Sequence, residues 1–210
     1  MIYKSKQEIR KKIWQMLEDE NIADFPRPCF GRIPNFVGSK EASEKIKEIP
    51  EFKKAKCVFC APDFVLKRIR EIVLEEGKTL AVALPHMTGF VEITEKKKIK
   101  EATSIGGFKK YGKPLQTKID LFVQGSVAVD KFGNRLGKGT GYGDKEWHYL
   151  YEKGLISPNV KIVTIVHDKQ ILDDFSYLAE PTDRKVNYII TPSRIIKTKV
   201  DRSYSTTVEY

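Results

Sequence analysis

Cysteine is scarce in this chain of 210 residues, which holds three. An odd and sparse set argues against a disulfide framework. Histidine is equally rare, and His86, His148 and His167 lack zinc-ligand spacing, alone or with Cys57 and Cys60. That Cys-x-x-Cys pair sits in Cys57-Val58-Phe59-Cys60-Ala61, which reads as a buried strand. Period two sends its two thiols to opposite faces, so they are read as small buried hydrophobes and not as a redox or metal pair. No apolar run approaches the roughly 20 residues of a membrane span. The start, Met1-Ile2-Tyr3-Lys4-Ser5-Lys6, lacks the apolar core of a signal peptide, and a cytoplasmic location is expected. Internal repeats and low-complexity tracts are missing. So are an aromatic-rich RNP strand, a KH loop and a zinc knuckle.

Hydrophobic residues at 40% and charged residues at 31% describe a folded chain, and the length fits one large domain over 1–210. Within it, residues 1–50 are expected to form an N-terminal helix and an extended, proline-punctuated segment that pack on the core. The net charge of +10 calls for a polyanionic partner to be considered, with nucleotide phosphates using a few charges and RNA using many. The excess is concentrated at Lys4, Lys6, Arg10, Lys11 and Lys12, and again between Lys96 and Lys113.

Ser5 and Glu8 form a capping box for a helix over 5–20, with Ile9, Ile13, Met16 and Leu17 as its apolar stripe. An extended stretch from Phe25 to Phe36 follows, then a short helix over 39–48. Strand and helix alternate after that: strand Lys56–Ala61, helix Asp63–Glu76, strand Thr79–Leu84. Residues 85–118 read as irregular with a short helix. Ile119–Val123 is a third strand, and Val127–Val129 either extends the sheet or bends at its end. A helix over Asp144–Lys153 and strands Val160–Val166 and Val186–Ile190 complete the pattern. Such alternation implies a three-layer α/β/α fold, Rossmann-like, with a mainly parallel sheet covered on both faces. Ligands bind beyond the carboxyl ends of the strands in these sheets.

At that edge stands Gly133-Asn134-Arg135-Leu136-Gly137-Lys138-Gly139-Thr140-Gly141-Tyr142-Gly143-Asp144-Lys145. Its five glycines let successive amides turn toward one centre, a concave arrangement that binds anions. Arg135, Lys138 and Lys145 add positive charge, and Asp144 adds a carboxylate able to hold Mg²⁺ beside a phosphate. The spacing is neither that of a Walker A loop nor that of a dinucleotide fingerprint. The segment resembles the loop Gly-x-Arg-Leu-Gly-x-Gly-x-Gly-Tyr-Tyr-Asp-Arg of the 5-formyltetrahydrofolate cyclo-ligase family, with Lys138 at a variable position, Gly143 for the second Tyr and Lys145 for the final Arg. Ile119–Val123 with Val127–Asp130, Lys6-Gln7-Glu8-Ile9-Arg10, and Val186–Pro192 are similar to the strand, N-terminal helix and closing strand of that family.

The resemblance implies ATP-dependent closure of 5-formyltetrahydrofolate to 5,10-methenyltetrahydrofolate, through phosphoryl activation of the formyl oxygen, with ATP and Mg²⁺ bound. It places the triphosphate on Gly133, Arg135, Leu136, Gly137, Lys138, Gly139, Thr140, Gly141, Tyr142, Asp144 and Lys145, assisted by Lys6, Arg10 and Asp183. Arg135, Lys138 and Asp144 are the candidate catalytic groups, and Asp144 the candidate metal ligand. Each has a plainer reading: Lys6 and Arg10 as a solvated helix face, Arg135 in a loop-stabilising ion pair, Asp144 as a helix N-cap, Tyr142 packed under the loop. His167 and Gln170 at a strand end are candidates for the substrate pocket. The family's Glu-Val-x-Thr after the first core strand is Ala61-Pro62-Asp63-Phe64 here, so Asp63 is the candidate carboxylate for a pterin. Ala23–Pro28 and Arg32–Phe36 resemble a divergent branch also found in multidomain proteins with an RNA-recognition domain. Two alternatives remain: the same ATP chemistry on another heterocyclic one-carbon or coenzyme-related substrate, or a non-catalytic RNA-associated or regulatory module.

Overall fold

A computed structural model describes residues 1–200; the last ten positions of the expected 1–210 domain lie outside the described residues. Eleven strands occur among these residues: β1 Cys57–Cys60, β2 Thr79–Ala83, β3 Phe90–Ile93, β4 Lys113–Pro114, β5 Ile119–Gly125, β6 Ala128–Asp130, β7 Arg135–Leu136, β8 Ile156–Ile165, β9 Ile171–Leu172, β10 Tyr188–Ile190 and β11 Ile195–Lys197. The α-helices are α1 Lys6–Asp19, α2 Ser39–Glu44, α3 Pro50–Lys54, α4 Lys67–Glu75, α5 Ile99–Ala102, α6 Ile105–Tyr111 and α7 Tyr142–Glu152.

Eight strands form the main sheet in the order β11-β10-β8-β5-β1-β2-β3-β4. Its five central strands run parallel, and antiparallel pairs extend it at both edges. The central strands are apolar on both faces because both are covered. Val58, Cys60, Leu121 and Val123 pack with Ala42, Phe52, Ile69 and Phe108 from the helices on one face. Cys57, Phe59 and Phe122 pack with Trp147 and Leu150 of α7 on the other. The expected α/β/α layering is therefore present, with the cover thick on one face and carried largely by a single helix on the other.

Cys57 and Cys60 do fall on opposite faces, as period two requires. Both are fully buried, as is Cys29, and burial pushes all three thiols up to about 12. The thiolate is the reacting form. Alkylation at neutral pH is therefore expected to leave the folded protein unmodified and to label three thiols after denaturation. Rapid labelling of the native protein would contradict this packing.

The structure departs from the sequence reading most in two places. Residues 85–118, expected to be irregular with a short helix, contain the strands β3 and β4 besides the short helices α5 and α6. The signal was weak because β3 and α5 have only four residues each and α6 carries Gly106 and Gly107. The 127–129 strand neither extends the main sheet nor merely bends. It joins a separate sheet of order β7-β6-β9. This small sheet packs under α1, where Ile9, Ile13 and Leu17 meet Val127, Ala128 and Leu136. The N-terminal helix is thereby fixed beside the glycine loop, which begins at β7.

Candidate functional site

The glycine loop runs from β7 into α7 along the wall of a cavity of about 500 Å³. That volume lies within the range of small-molecule sites, roughly 300–1,000 Å³. The cavity opens beyond the carboxyl ends of β1, β2 and β5, as the topology rule requires. Leu136, Gly137, Lys138, Gly139, Thr140, Gly141, Tyr142, Gly143 and Asp144 all line it, together with Lys6, Arg10, Asp63, Arg135 and Asp183.

The backbone explains why glycine recurs here. Gly139 has φ +107° and Gly141 has φ +71°; the first lies well outside the left-handed well near +57° that other residues occasionally reach. Gly141 caps α7, whose first residue is Tyr142, so the helix starts two positions before the expected Asp144. Asp144 is not the N-cap. It lies in the first helical turn, and its Oδ1 accepts the Arg184 N–H at 3.2 Å. Unpaired amides and the positive end of the helix dipole face the cavity at this terminus, an arrangement suited to an anion.

Arg135 lies half-buried beneath the loop. Its Nε and Nη2 both donate to the Gly125 carbonyl, at 2.9 and 2.7 Å. Burial lowers its pKa, opposed by the negative charge of Asp144, Asp63, Glu146 and Asp183. It thus couples the end of β5 to the loop rather than standing as a free phosphate fork. Arg10 clamps the same loop from α1, where its Nε donates to the Gly137 carbonyl at 2.8 Å. Lys6 donates to Glu180 and Asp183, each at 2.7 Å. Burial would lower the Lys6 pKa, but these two carboxylates outweigh it and the pKa is raised. Lys138 is exposed at the loop tip and is without a protein partner among the described residues.

Four expected site residues fall away from the cavity. Gly133 is buried in the turn before β7 with φ +86°, and a Cβ there would meet the Val186 carbonyl at 2.5 Å, so it shapes the loop's entry and not its anion site. Lys145 points to solvent, with Nζ 5.8 Å from the Tyr142 ring centroid. Gln170 is fully buried and spends its amide on structure: Nε2 donates to the Ser126 and Val127 carbonyls, and Oε1 accepts the His167 N–H. His167 in turn accepts the Lys169 N–H on Nδ1. Both residues tie the start of β6 to the turn after β8 and do not line the cavity.

Several residues on the cavity wall were not foreseen, Gln124 and Glu146 among them. Gln124 lies one residue before the end of β5, and Glu146, 6% exposed, lies on the inner face of α7. A polar side chain closing the apolar run Leu121-Phe122-Val123 was a readable signal for Gln124. Glu146 lacked one, because a carboxylate within a helix is ordinary. Asp63 does reach the cavity. Arg70 fixes its backbone by donating to the Ala61 and Asp63 carbonyls at 2.8 and 2.9 Å. The Leu84–Met87 segment closes the opposite rim, with His86 and Met87 at φ +56° and +54°.

The donor set fits Mg·ATP. Mg²⁺ is commonly held by one or two carboxylates, with phosphates and water completing six oxygens. Asp144 presents one carboxylate beside the loop amides, and no cluster of three metal-ligating side chains exists among the described residues to make a self-contained metal site. No described helix is long and apolar enough to cross a membrane.

The sequence signature of the 5-formyltetrahydrofolate cyclo-ligase family matches residues 2–192. The chain is 41% identical over 209 residues to the methenyltetrahydrofolate synthase domain-containing proteins of Bos taurus and Homo sapiens. Each alignment covers 94% of this chain and 55% of the relative, so the chain spans about half the length of the curated relatives it matches. The solved structure of Aquifex aeolicus 5,10-methenyltetrahydrofolate synthetase superposes with a TM-score of 0.60 at 20% identity, covering 98% of both chains. The fold matches along its whole length, and the chain belongs to the 5-formyltetrahydrofolate cyclo-ligase family.

Proposed function

We propose that residues 1–200 act as one cyclo-ligase domain that binds Mg·ATP on the glycine loop and converts 5-formyltetrahydrofolate to 5,10-methenyltetrahydrofolate. The observation that carries this reading is the loop itself: Gly139 and Gly141 at positive φ, which favours glycine, at the N-terminus of α7, beside Lys138 and Asp144 in one cavity.

When bound, ATP supplies the phosphoryl group that activates the formyl oxygen, and Mg²⁺ offsets its charge. The protein's part is to orient and neutralise. The α7 amides and Lys138 face the developing negative charge, which fixed donors stabilise without reorganisation. Arg135 ties the loop to the Gly125 carbonyl at the end of β5 and Arg10 holds the Gly137 carbonyl, keeping the amides turned inward. Asp144 holds the metal. The chain places the folate deeper, against Asp63 and the Leu84–Met87 rim, and excludes water there, bringing formyl oxygen and phosphate into line. The same loop would serve ATP chemistry on another heterocycle, but membership of the family favours a folate.

The test is formation of methenyl product, followed by its absorbance, with purified protein, 5-formyltetrahydrofolate and Mg²⁺. Product is expected only when ATP is present, with one phosphate released per turnover. Folate-independent phosphate release, or the absence of product, would overturn the assignment.

A further inference from the structure

The polar groups of the cavity divide by whether the protein already satisfies them. Glu180 and Asp183 are neutralised by Lys6, and Asp144 accepts a backbone N–H. Asp63, Gln124 and Glu146 differ. Neither carboxylate has a hydrogen-bond or ion-pair partner among the described residues. The Gln124 amide is 98% buried by its 2% exposure, and its Oε1 has no partner at all. Leaving the buried amide oxygen unpaired costs stability, and with two carboxylates free of protein partners around the same cavity it points to a ligand that pairs with them.

Their chemistry specifies what that ligand carries. A primary amide matches a cyclic N–H next to a ring carbonyl, accepting from one and donating to the other. A carboxylate matches two adjacent N–H donors, as on an amino group beside a ring N–H. Gly143 opens the space: a Cβ there would lie 2.8 Å from Gln124 Oε1 and 3.3 Å from Arg135 Nη2, so any side chain at 143 would displace the amide. Arg70, which pins the Asp63 backbone, keeps the opposite carboxylate in place.

We propose that Gln124, Asp63 and Glu146 recognise the 2-amino-4-oxo ring of a pterin, with Glu146 accepting its amino and ring N–H donors. This rests on the folate reading above and names the residues that select the ring. Glu146 faces Asp63 from the loop after β1, Arg135 from β7 and Lys138 from the glycine loop.

The experiment is calorimetric titration of 5-formyltetrahydrofolate, pterin and lumazine into the wild-type protein and Glu146→Gln. Lumazine carries a carbonyl where pterin carries its amino group. Wild-type protein is expected to bind 5-formyltetrahydrofolate and pterin, and to bind lumazine at least about tenfold more weakly. Glu146→Gln, which keeps the shape of the side chain but replaces one acceptor oxygen by a donor, should lose about tenfold or more for the two amino-bearing ligands and bind Mg·ATP unchanged. Gln124→Met, checked by melting, should weaken both as well. Unchanged folate affinity in Glu146→Gln, equal binding of pterin and lumazine, or no binding of either folate or pterin by wild-type protein would overturn the proposal. Methenyl formation with Glu146-independent binding would overturn this inference and leave the cyclo-ligase reading standing. Glu146-dependent ring binding without methenyl formation would do the reverse.

Discussion

Replacing Arg135 with alanine is expected to lower both stability and ATP affinity. Two N–H groups of the half-buried guanidinium end on the Gly125 carbonyl, and no other donor to that oxygen is present among the described contacts. Losing a charged hydrogen bond of this kind costs about 1.5–3 kcal/mol. For a domain of this size each kcal/mol shifts Tm by roughly 2–4 °C, so Tm should fall by about 3–12 °C. The nearby acids Asp144, Asp63 and Glu146 would lose their counter-charge, adding to the loss. The same energy lost from the loop's geometry corresponds to about ten- to a hundredfold in ATP affinity. Arg135→Lys keeps the charge but not the two-toothed contact, and should fall between the two. Thermal melts with ATP titration of all three proteins provide the check. An alanine variant with wild-type Tm and weaker ATP binding would return Arg135 to the role of a direct phosphate contact.

Gly139→Ala should separate binding from folding. The residue is exposed and its Cβ would meet nothing closer than the Arg10 guanidinium at 3.5 Å, so no steric overlap forces unfolding. The obstacle is φ +107°, a conformation that costs an L-residue about 1–3 kcal/mol. The loop escapes that cost by moving, and its amides then no longer converge. We expect ATP affinity to fall about tenfold or more while Tm changes by no more than a few degrees. Gly106→Ala is the control: it lies in α6 at a position where a Cβ meets nothing within 4 Å, and ATP binding should not change. Calorimetry on the two variants decides. Equal, undiminished affinity in both would mean that the conformation at Gly139 plays no part in binding.

Much of the architecture was legible in the sequence because the central strands follow a simple physical rule. Strands buried on both faces must be apolar, so Cys57–Cys60, Leu80–Ala83 and Leu121–Val123 announce themselves as uninterrupted runs. The edges did not. β4 has two residues and β11 three, too few to show any period, and their pairing depends on partners distant in sequence. The same division holds at the site. A run of glycines among cations is a local signal, and it located the cavity wall. The fate of Gln170 is not local: whether a glutamine at a strand end meets a ligand or caps the neighbouring carbonyls of Ser126 and Val127 depends on where β6 lies. Glu146 was hidden for the complementary reason. Nothing in Asp144-Lys145-Glu146-Trp147 tells that residue 146 turns inward with Trp147 while Lys145 turns out.

The central claim is that the glycine loop at the start of α7 is the nucleotide site. A crystal structure of the protein soaked with Mg²⁺ and a non-hydrolysable ATP analogue tests it most directly. The account predicts triphosphate density against the amides of Gly137 to Tyr142, with the metal on Asp144 and Lys138 drawn onto the phosphates. Ordered nucleotide elsewhere on the protein, with this cavity left to solvent, would contradict it.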